Sequence, residues 1–391
     1  MKGVLLAGGT GSRLYPITHT GPKQLVPIAN KPVLDYAIED LREAGIEEIG
    51  VVLGNKGREA IQEHLGDGSG FGVDITYIVQ GDPLGLAHAV GCAREFVGDD
   101  SFVVYLGDDL MREGIEELVS DLDPEEYAAG IGLQEVDEPS RYGVVDLNDD
   151  RDVVELAEKP DDPPSNLALI GIYVFTPDIF PRIEDLEPSW RGELEITDAI
   201  QGLLDAGHRV QSHVVHGWWK DTGKPQDVLH ANRLVLDDVE ENLAGTIEDE
   251  ESIVGRVDLR EGALIEEGAV VRGPVSIGED TRVGSDAYVG PYTSIGPNSE
   301  IDGVHIEASV AIGDNEITAD RTIIDAWLDG KRRLRRTRTN SPRATGWLLA
   351  ETRHWNSEPA HHYATLSELW NRRGGKRAGG PPGGEVSWPG L

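Results

Sequence analysis

Over residues 1–240, short apolar runs alternate with segments whose hydrophobic positions recur at helical spacing. Val4-Leu5-Leu6-Ala7 runs into Gly8-Gly9 and predicts a buried strand entering a loop. Residues 32–44 place Val33, Leu34, Ala37, Ile38 and Leu41 on one helical face, with Gly45 as the stop. The pattern then predicts a strand over 49–53, a helix over 58–65, a strand over 75–79, a helix over 87–96 and a strand over 102–106. Strand, helix, strand at this spacing predicts a doubly wound, mostly parallel α/β sheet covered on both faces. Ligands in such sheets sit beyond the carboxyl ends of the strands, here the loops after Ala7 and Leu106.

Near residue 245 the period changes to six. Ile247, Ile253, Leu259, Ile265, Val271, Ile277, Val283, Val289, Ile295 and Ile301 recur without a miss, and Gly278, Gly284, Gly290 and Gly296 directly follow four of them. This period predicts a left-handed parallel β-helix over 245–328, with three hexads to a triangular coil and about three regular coils. The rhythm loosens after Ile301, through Ile306, Ile312 and Ile317, and the coils are expected to end near 325–328.

Charge changes the picture of the surface and of the tail. The formal charge is −36, yet 331–391 holds 12 Lys and Arg against 4 Asp and Glu, leaving the body far more acidic than the total. Such a body repels nucleic acid and anionic membrane, and argues against both as partners. It also suits a protein of high-salt surroundings, where screening reduces self-repulsion, so a halophilic source is expected. No apolar run is long enough to span a membrane, no signal peptide is visible, and a cytoplasmic location is expected. Cys92, the single cysteine, excludes an internal disulfide framework and a Cys-based zinc site, and reads as a small apolar filler. The tail 331–391 is basic, carries four of the eight Trp residues, and turns Gly/Pro-rich at 374–384, a composition that reads as disordered. It is either a basic arm on the acidic body or a divergence of the reading frame that removes the coil's cap; the abrupt shift favours the second.

The candidate chemistry starts at Leu6-Ala7-Gly8-Gly9-Thr10-Gly11-Ser12-Arg13-Leu14. Here a glycine-rich loop lets backbone N–H groups approach phosphate oxygens and Arg13 adds a charge. Alone it is equally a tight turn: it lacks the Gly-Lys-Ser/Thr ending of a P-loop and the third glycine of a dinucleotide fingerprint. Pro16, Thr18, Pro22-Lys23-Gln24-Leu25-Val26-Pro27 and Lys31-Pro32 continue it. Together these residues resemble the signature of the sugar-1-phosphate nucleotidyltransferases, most closely the long-form glucose-1-phosphate thymidylyltransferases. Further segments fit in the family's order: 83–87, Leu106-Gly107-Asp108-Asp109, Tyr142-Gly143-Val144-Val145, Glu158-Lys159-Pro160, the run from Arg191 to Asp198, and Trp219-Lys220-Asp221-Thr222-Gly223. The long members also append a left-handed β-helix, matching the hexads.

The resemblance implies a Mg²⁺-dependent transfer of a nucleotidyl group from a nucleoside triphosphate, by its closest likeness dTTP, to a sugar 1-phosphate such as glucose 1-phosphate, with release of pyrophosphate. It implies catalytic roles for Arg13 and Lys23 on the triphosphate and Lys159 on the sugar phosphate. Leu6, Gly8, Gly9, Gly11, Gln24, Gln80 and Gly85 are implied to hold the nucleotide. Asp109, Gly143, Glu158, Gly171 and Trp219 are implied at the sugar, and Asp108 with Asp221 on the metal. Read without the family, Asp108 is a turn or helix cap, Asp221 an Asx turn, Glu158–Lys159 a solvated pair on backbone that Pro160 keeps extended, and Trp219 core. Two departures stand out: Asp109 where many relatives carry Asn, and Lys220 where an apolar residue is usual.

Three rivals remain. A UTP-dependent uridylyltransferase differs little at 85–87. A bifunctional acetyltransferase would need more coils and a catalytic histidine, for which His305 is the candidate. A silent regulatory subunit would not need Arg13, Lys23, Asp108, Lys159 and Asp221. The coil is expected to pack subunits into a homo-oligomer. The excess acid gives a direct expectation about salt: the thermal unfolding midpoint rises from dilute buffer to molar KCl, and an unchanged midpoint would remove the high-salt reading.

Overall fold

The computed structural model describes residues 1–15, 17–19, 21–149 and 151–328, with backbone alone at 19, 319–321, 333–335 and 344–345. In the first part the strands are β1 (Lys2–Ala7), β2 (Pro27–Ile28), β3 (Lys31–Pro32), β4 (Glu48–Leu53), β5 (Asp74–Val79), β6 (Phe102–Leu106), β7 (Asp109–Met111), β8 (Ala129–Glu135), β9 (Gly143–Leu147), β10 (Val153–Glu158), β11 (Leu167–Phe175), β12 (Val210–Val214) and β13 (Trp219–Asp221). The helices are α1 (Val33–Glu43), α2 (Arg58–Leu65), α3 (Leu86–Gly91), α4 (Arg94–Val97), α5 (Glu116–Asp121), α6 (Ile179–Glu184), α7 (Ile196–Asp205) and α8 (Pro225–Asp237).

The central sheet runs β10-β9-β11-β6-β1-β4-β5, with β8 beside β11 and β12 beside β8. β1, β4, β5 and β6 are parallel, as their helical crossovers require. β9, β10 and β11 pair antiparallel with their neighbours while β12 pairs parallel with β8, so the sheet is mostly parallel, as expected, with β10 and β11 reversed. Two hydrophobic layers cover the sheet, one gathering Val4, Leu6 and Phe102, the other Leu5, Leu34, Ile38 and Leu41. α1 shows why this sequence folds so. Its apolar face is wholly buried, Pro32 precedes it, and Gly45 beyond its end takes φ 79°, a conformation that only glycine adopts without strain. The expected helix over 87–96 is instead two, α3 and α4, parted at Cys92–Ala93.

The hexads wind into parallel coils. Thr246 pairs with Leu264, Leu264 with Arg282, and Arg282 with Glu300, a step of 18 residues that equals three hexads. From Leu259 to Ile301 every hexad aliphatic is fully buried, whereas Ile247 and Ile253 in the first coil are only partly covered. Each such side chain contributes about 1.5–3 kcal/mol on burial. Past Ile301 the step shortens: Ile301 pairs with Ile317 and His305 with Thr322. The cause is a strand, Glu300–Glu307, that runs through a corner at Gly303 (φ 62°). Strand pairing also continues past 328, since Arg333–Arg335 and Ala344–Thr345 both pair with Glu316–Ile324. The rest of the tail 331–391 lies outside the described residues.

Coil and sheet domain share a core: Trp327 and Val310 of the coil pack with Leu14, Val26, Ile28, Val33, Leu110 and Val228. Polar contacts fix the register of this joint. Asn232 on α8 is buried; its Oδ1 accepts from Ala29 N at 2.8 Å and from Ser294 Oγ at 2.7 Å. Asn30 Nδ2 donates to Ile295 O and Ser276 Oγ, each at 2.9 Å. Ala29 and Asn30 form the β2–β3 turn, with φ 48° and 66°. Replacing Asn232 by Ala leaves the buried Ala29 N–H without an acceptor, so the chain should lose about 1–3 kcal/mol in denaturant unfolding. A loss below about 0.5 kcal/mol would show that the joint does not depend on this side chain.

Candidate active site

The loop after β1 curls under Lys23. Gly11 takes φ 62°, and its carbonyl accepts from Thr18 Oγ1 at 2.9 Å. A methyl group on Gly9 would lie 2.5 Å from Lys23 Cε, so the bare backbone is what lets the lysine lie across the loop. Gln24 is fully buried; its Nε2 reaches Gly9 O at 3.5 Å and its Oε1 has no partner. Leu6 is buried in the sheet, with its carbonyl taken by Gly107 N at 3.0 Å, so any contact from Leu6 to a ligand would be through backbone.

Residues far apart in sequence meet beside this loop. β6 delivers Asp108 at its carboxyl end, and Lys23 Nζ forms an ion pair with Asp108 Oδ2. β13 pairs antiparallel with β7, which sets Asp221 opposite Asp109. Thr222 locks the junction: its N and Oγ1 donate to Asp108 O at 3.1 and 2.8 Å. At Gly223 a methyl group would sit 3.0 Å from both carboxylate oxygens of Asp221 and 3.1 Å from Arg13 Nη2, so the absence of a side chain leaves Arg13 and Asp221 facing each other.

Two of these carboxylates, Asp109 and Asp221, have raised proton affinity. Burial pushes Asp221 up, the charge of Asp108 adds to this, and Lys23 and Arg13 partly offset both. Asp109 is raised well above the ordinary carboxylate range by burial first, then by Asp108 and Asp221. The Trp219 indole, buried beside it, partly offsets this rise by hydrogen bonding. Among the described residues no group of three or more His, Cys, Asp or Glu forms a closed metal cage. The donor set of Asp108 and Asp221 is hard oxygen, carries like charges that a cation would relieve, and adjoins the glycine loop through Lys23 and Arg13. It fits Mg²⁺, which takes one or two carboxylates and completes its octahedron with phosphates and water.

On the other flank, Glu158 at the end of β10 accepts from Lys159 Nζ at 2.6 Å, from Arg191 Nη1 at 3.1 Å and from Thr197 Oγ1 at 3.4 Å. Lys159 takes φ 44° rather than the extended conformation expected before Pro160. Its N–H bonds Tyr142 O at 3.0 Å as the chain leaves the sheet, and that bond with the ion pair holds the turn. Lys159 thus belongs to the Glu158 cluster and not to the group around Lys23. Gly143 faces Glu158 across the β9–β10 pair. Gly171 (φ 79°) backs onto Asp109 and Leu106, tying this flank to the acidic group. Trp219 packs edge-on against Tyr142, centroids 5.6 Å apart. Lys220 turns aside to Asp227 Oδ1 at 2.7 Å. Arg191 and Thr197, for which no role was expected, emerge as organisers of Glu158; the signal was their place in the 191–198 run.

At the third corner, Gln80 follows β5 and its Nε2 donates to Gly85 O at 3.2 Å. Gly85 takes φ 121°, and a methyl group there would lie 2.5 Å from Leu194 N and O. That close approach lets Leu194 N bond Leu84 O (2.8 Å) and Ala87 N bond Leu194 O (3.0 Å).

Comparison with known proteins agrees with this architecture. The nucleotidyl transferase family matches residues 2–238. A low-salt glycan biosynthesis nucleotidyltransferase, Agl11, of Haloferax volcanii is 63% identical over 84% of this chain and 92% of its own. A glucose-1-phosphate thymidylyltransferase of Streptomyces antibioticus is 52% identical over 68% of this chain and 74% of its own. A crystal structure from Bacillus anthracis, assigned as a glucose-1-phosphate thymidylyltransferase and holding sucrose, superposes with TM-score 0.57 at 39% identity, covering 62% of this chain and 97% of that one.

Gly171→Ala tests the tie between the flanks. The new methyl group collides with Asp109 Oδ2 and sits at a φ that costs about 1 kcal/mol or more for alanine. Lowered thermal stability and a shifted Trp219 environment in tryptophan fluorescence difference spectra are expected; wild-type values in both would show that the two flanks are independent.

Proposed function

The chain belongs to the nucleotidyl transferase family and is a sugar-1-phosphate nucleotidyltransferase, and on that footing we propose that it transfers a thymidylyl group from dTTP to glucose 1-phosphate, giving dTDP-glucose and pyrophosphate. A phosphate oxygen of the sugar phosphate attacks the α-phosphorus, the bond from that phosphorus to the bridging oxygen breaks, and its electron pair leaves on pyrophosphate. No residue forms a covalent intermediate, and none is needed: both reactants are anions, so placement and charge neutralisation are the main demands.

The backbone N–H groups of Gly8, Gly9 and Gly11 cradle the triphosphate, with Arg13 and Gln24 at its side. Lys23 begins paired with Asp108. On substrate binding it exchanges that carboxylate for an oxygen on the α-phosphate, where charge develops. Asp108 and Asp221 would hold Mg²⁺, which supplies positive charge to the phosphates when bound. Lys159 leaves Glu158 for the sugar phosphate, while Glu158, kept in place by Arg191 and Thr197, accepts from a sugar hydroxyl. Gly143 and Gly171 meet the sugar through their backbone, beside Asp109 and Trp219. Gln80 and Gly85 meet the base. The enzyme works in the cytoplasm as a homo-oligomer at high salt, without nucleic acid or membrane as partner.

The observation that carries this reading is the meeting of Asp108, Asp221, Lys23 and Arg13 at the mouth of the first glycine loop. Asp108→Asn, assayed for pyrophosphate release with dTTP, glucose 1-phosphate and Mg²⁺ in molar KCl, should fold normally and lose at least about 100-fold in kcat. Near-wild-type turnover would remove the metal assignment. Parallel assays with UTP decide the donor: a preference for UTP would make the chain a uridylyltransferase of the same mechanism.

A further inference from the structure

Gln80 can tell one pyrimidine from another only if its amide is held one way round, because its oxygen accepts and its nitrogen donates. Its surroundings decide the matter. The Gly85 carbonyl, which can only accept, lies 3.2 Å from one end of the amide, so that end is the NH₂. His88 Nδ1 lies 3.4 Å from the same nitrogen and can meet it only as a bare acceptor. The imidazole proton then sits on Nε2, which faces Cys92 Sγ at 3.9 Å. The Cys92 thiol, kept protonated by burial, is itself placed to donate to Gln80 O at 4.0 Å. The Gln80 amide, His88 and Cys92 therefore form a chain of donors and acceptors that ends on the Gln80 main-chain carbonyl, and each has one consistent role in it. The amide oxygen is left on the side of the glycine loop, where a methyl group on Gly8 would stand 2.8 Å from it.

We propose that His88 is a positioning residue that locks the Gln80 amide with its oxygen toward the nucleotide, and thereby restricts the donor to bases bearing an imide N–H. Thymine and uracil present such an N–H to the oxygen and gain a hydrogen bond. Cytosine presents a bare ring nitrogen, and two lone pairs face each other. The inference rests on the base-reading role of Gln80 proposed above, and adds to it the residue on the first turn of α3 that sets its direction. With the acceptor of His88 removed, the Gly85 carbonyl alone opposes rotation of the amide, and the preference weakens.

The test compares kcat/KM for dTTP and dCTP, with glucose 1-phosphate and Mg²⁺ in molar KCl, in wild type, His88→Phe, His88→Ala and His88→Asn, with thermal unfolding measured alongside. Phe keeps a ring without an acceptor, Ala removes the ring, and Asn restores an acceptor, Oδ1, where Nδ1 stood. The expected result is a narrowing of the dTTP over dCTP preference by about tenfold in the folded Phe or Ala variant, expressed mainly in KM for dTTP, and recovery of the preference in the Asn variant. A Phe or Ala variant that is slower yet keeps the wild-type preference would overturn the proposal, because a merely structural imidazole changes rate and stability without changing base choice. An Asn variant that behaves like Phe would overturn it too. A wild type with no preference for dTTP over dCTP would remove the base-reading role of Gln80 itself, which separates the failure of that reading from the failure of this one.

Discussion

Buried like charges govern this molecule. Asp108, Asp109 and Asp221 converge where β6 ends and β13 pairs with β7, and burial together with the charge of Asp108 makes Asp109 and Asp221 harder to ionise. Carboxylates so placed destabilise a fold unless cations or hydrogen bonds offset them. Lys23 and Arg13 supply the charge from the loop after β1, and Thr222 supplies the hydrogen bonds that hold the Asp108 backbone. The same crowding makes the site receptive to a cation, so stability and the proposed chemistry draw on one arrangement.

That arrangement depends on parts of the chain that never touch it. Lys23 and Gln24 lead directly into the β2–β3 turn, and this turn is held from behind by Asn232 and by the coil through Ser276 and Ile295. Trp327 and Val310, from late coils, complete the apolar joint beneath Leu14 and Val26. The coil therefore braces the segment that carries two of the proposed nucleotide contacts. Its own interior is held by burial of one aliphatic per hexad from Leu259 to Ile301.

The three corners of the site are joined by backbone features rather than by long side chains. Gly85 lets Leu194 approach, Gly171 lets Asp109 approach, and Gly223 leaves the gap between Arg13 and Asp221. In each case the side chain that glycine lacks would occupy the space that a functional group uses.

Much of this was legible in the linear pattern. Short apolar runs and periods of 3.6 and six residues are local properties of buried strand, helix and coil, so the strands over 4–7 and 102–106, the helix over 32–44 and the 18-residue coil follow from pattern alone. Clustered motifs such as Gly8 to Arg13 marked the place where chemistry gathers. The loosened rhythm past Ile301 was legible too, but the two reversed strands of the sheet, the split of α3 from α4 and the turn at Lys159 were not, because each depends on which partner a segment meets. The same holds for the pairing of Lys23 with Asp108, the grip of Arg191 and Thr197 on Glu158, and the chain of donors and acceptors through Gln80, His88 and Cys92. Sequence determines which residues are apolar, charged or free to turn; only tertiary packing decides which charges share a low-dielectric space, because that follows from distances across the fold and not along the chain.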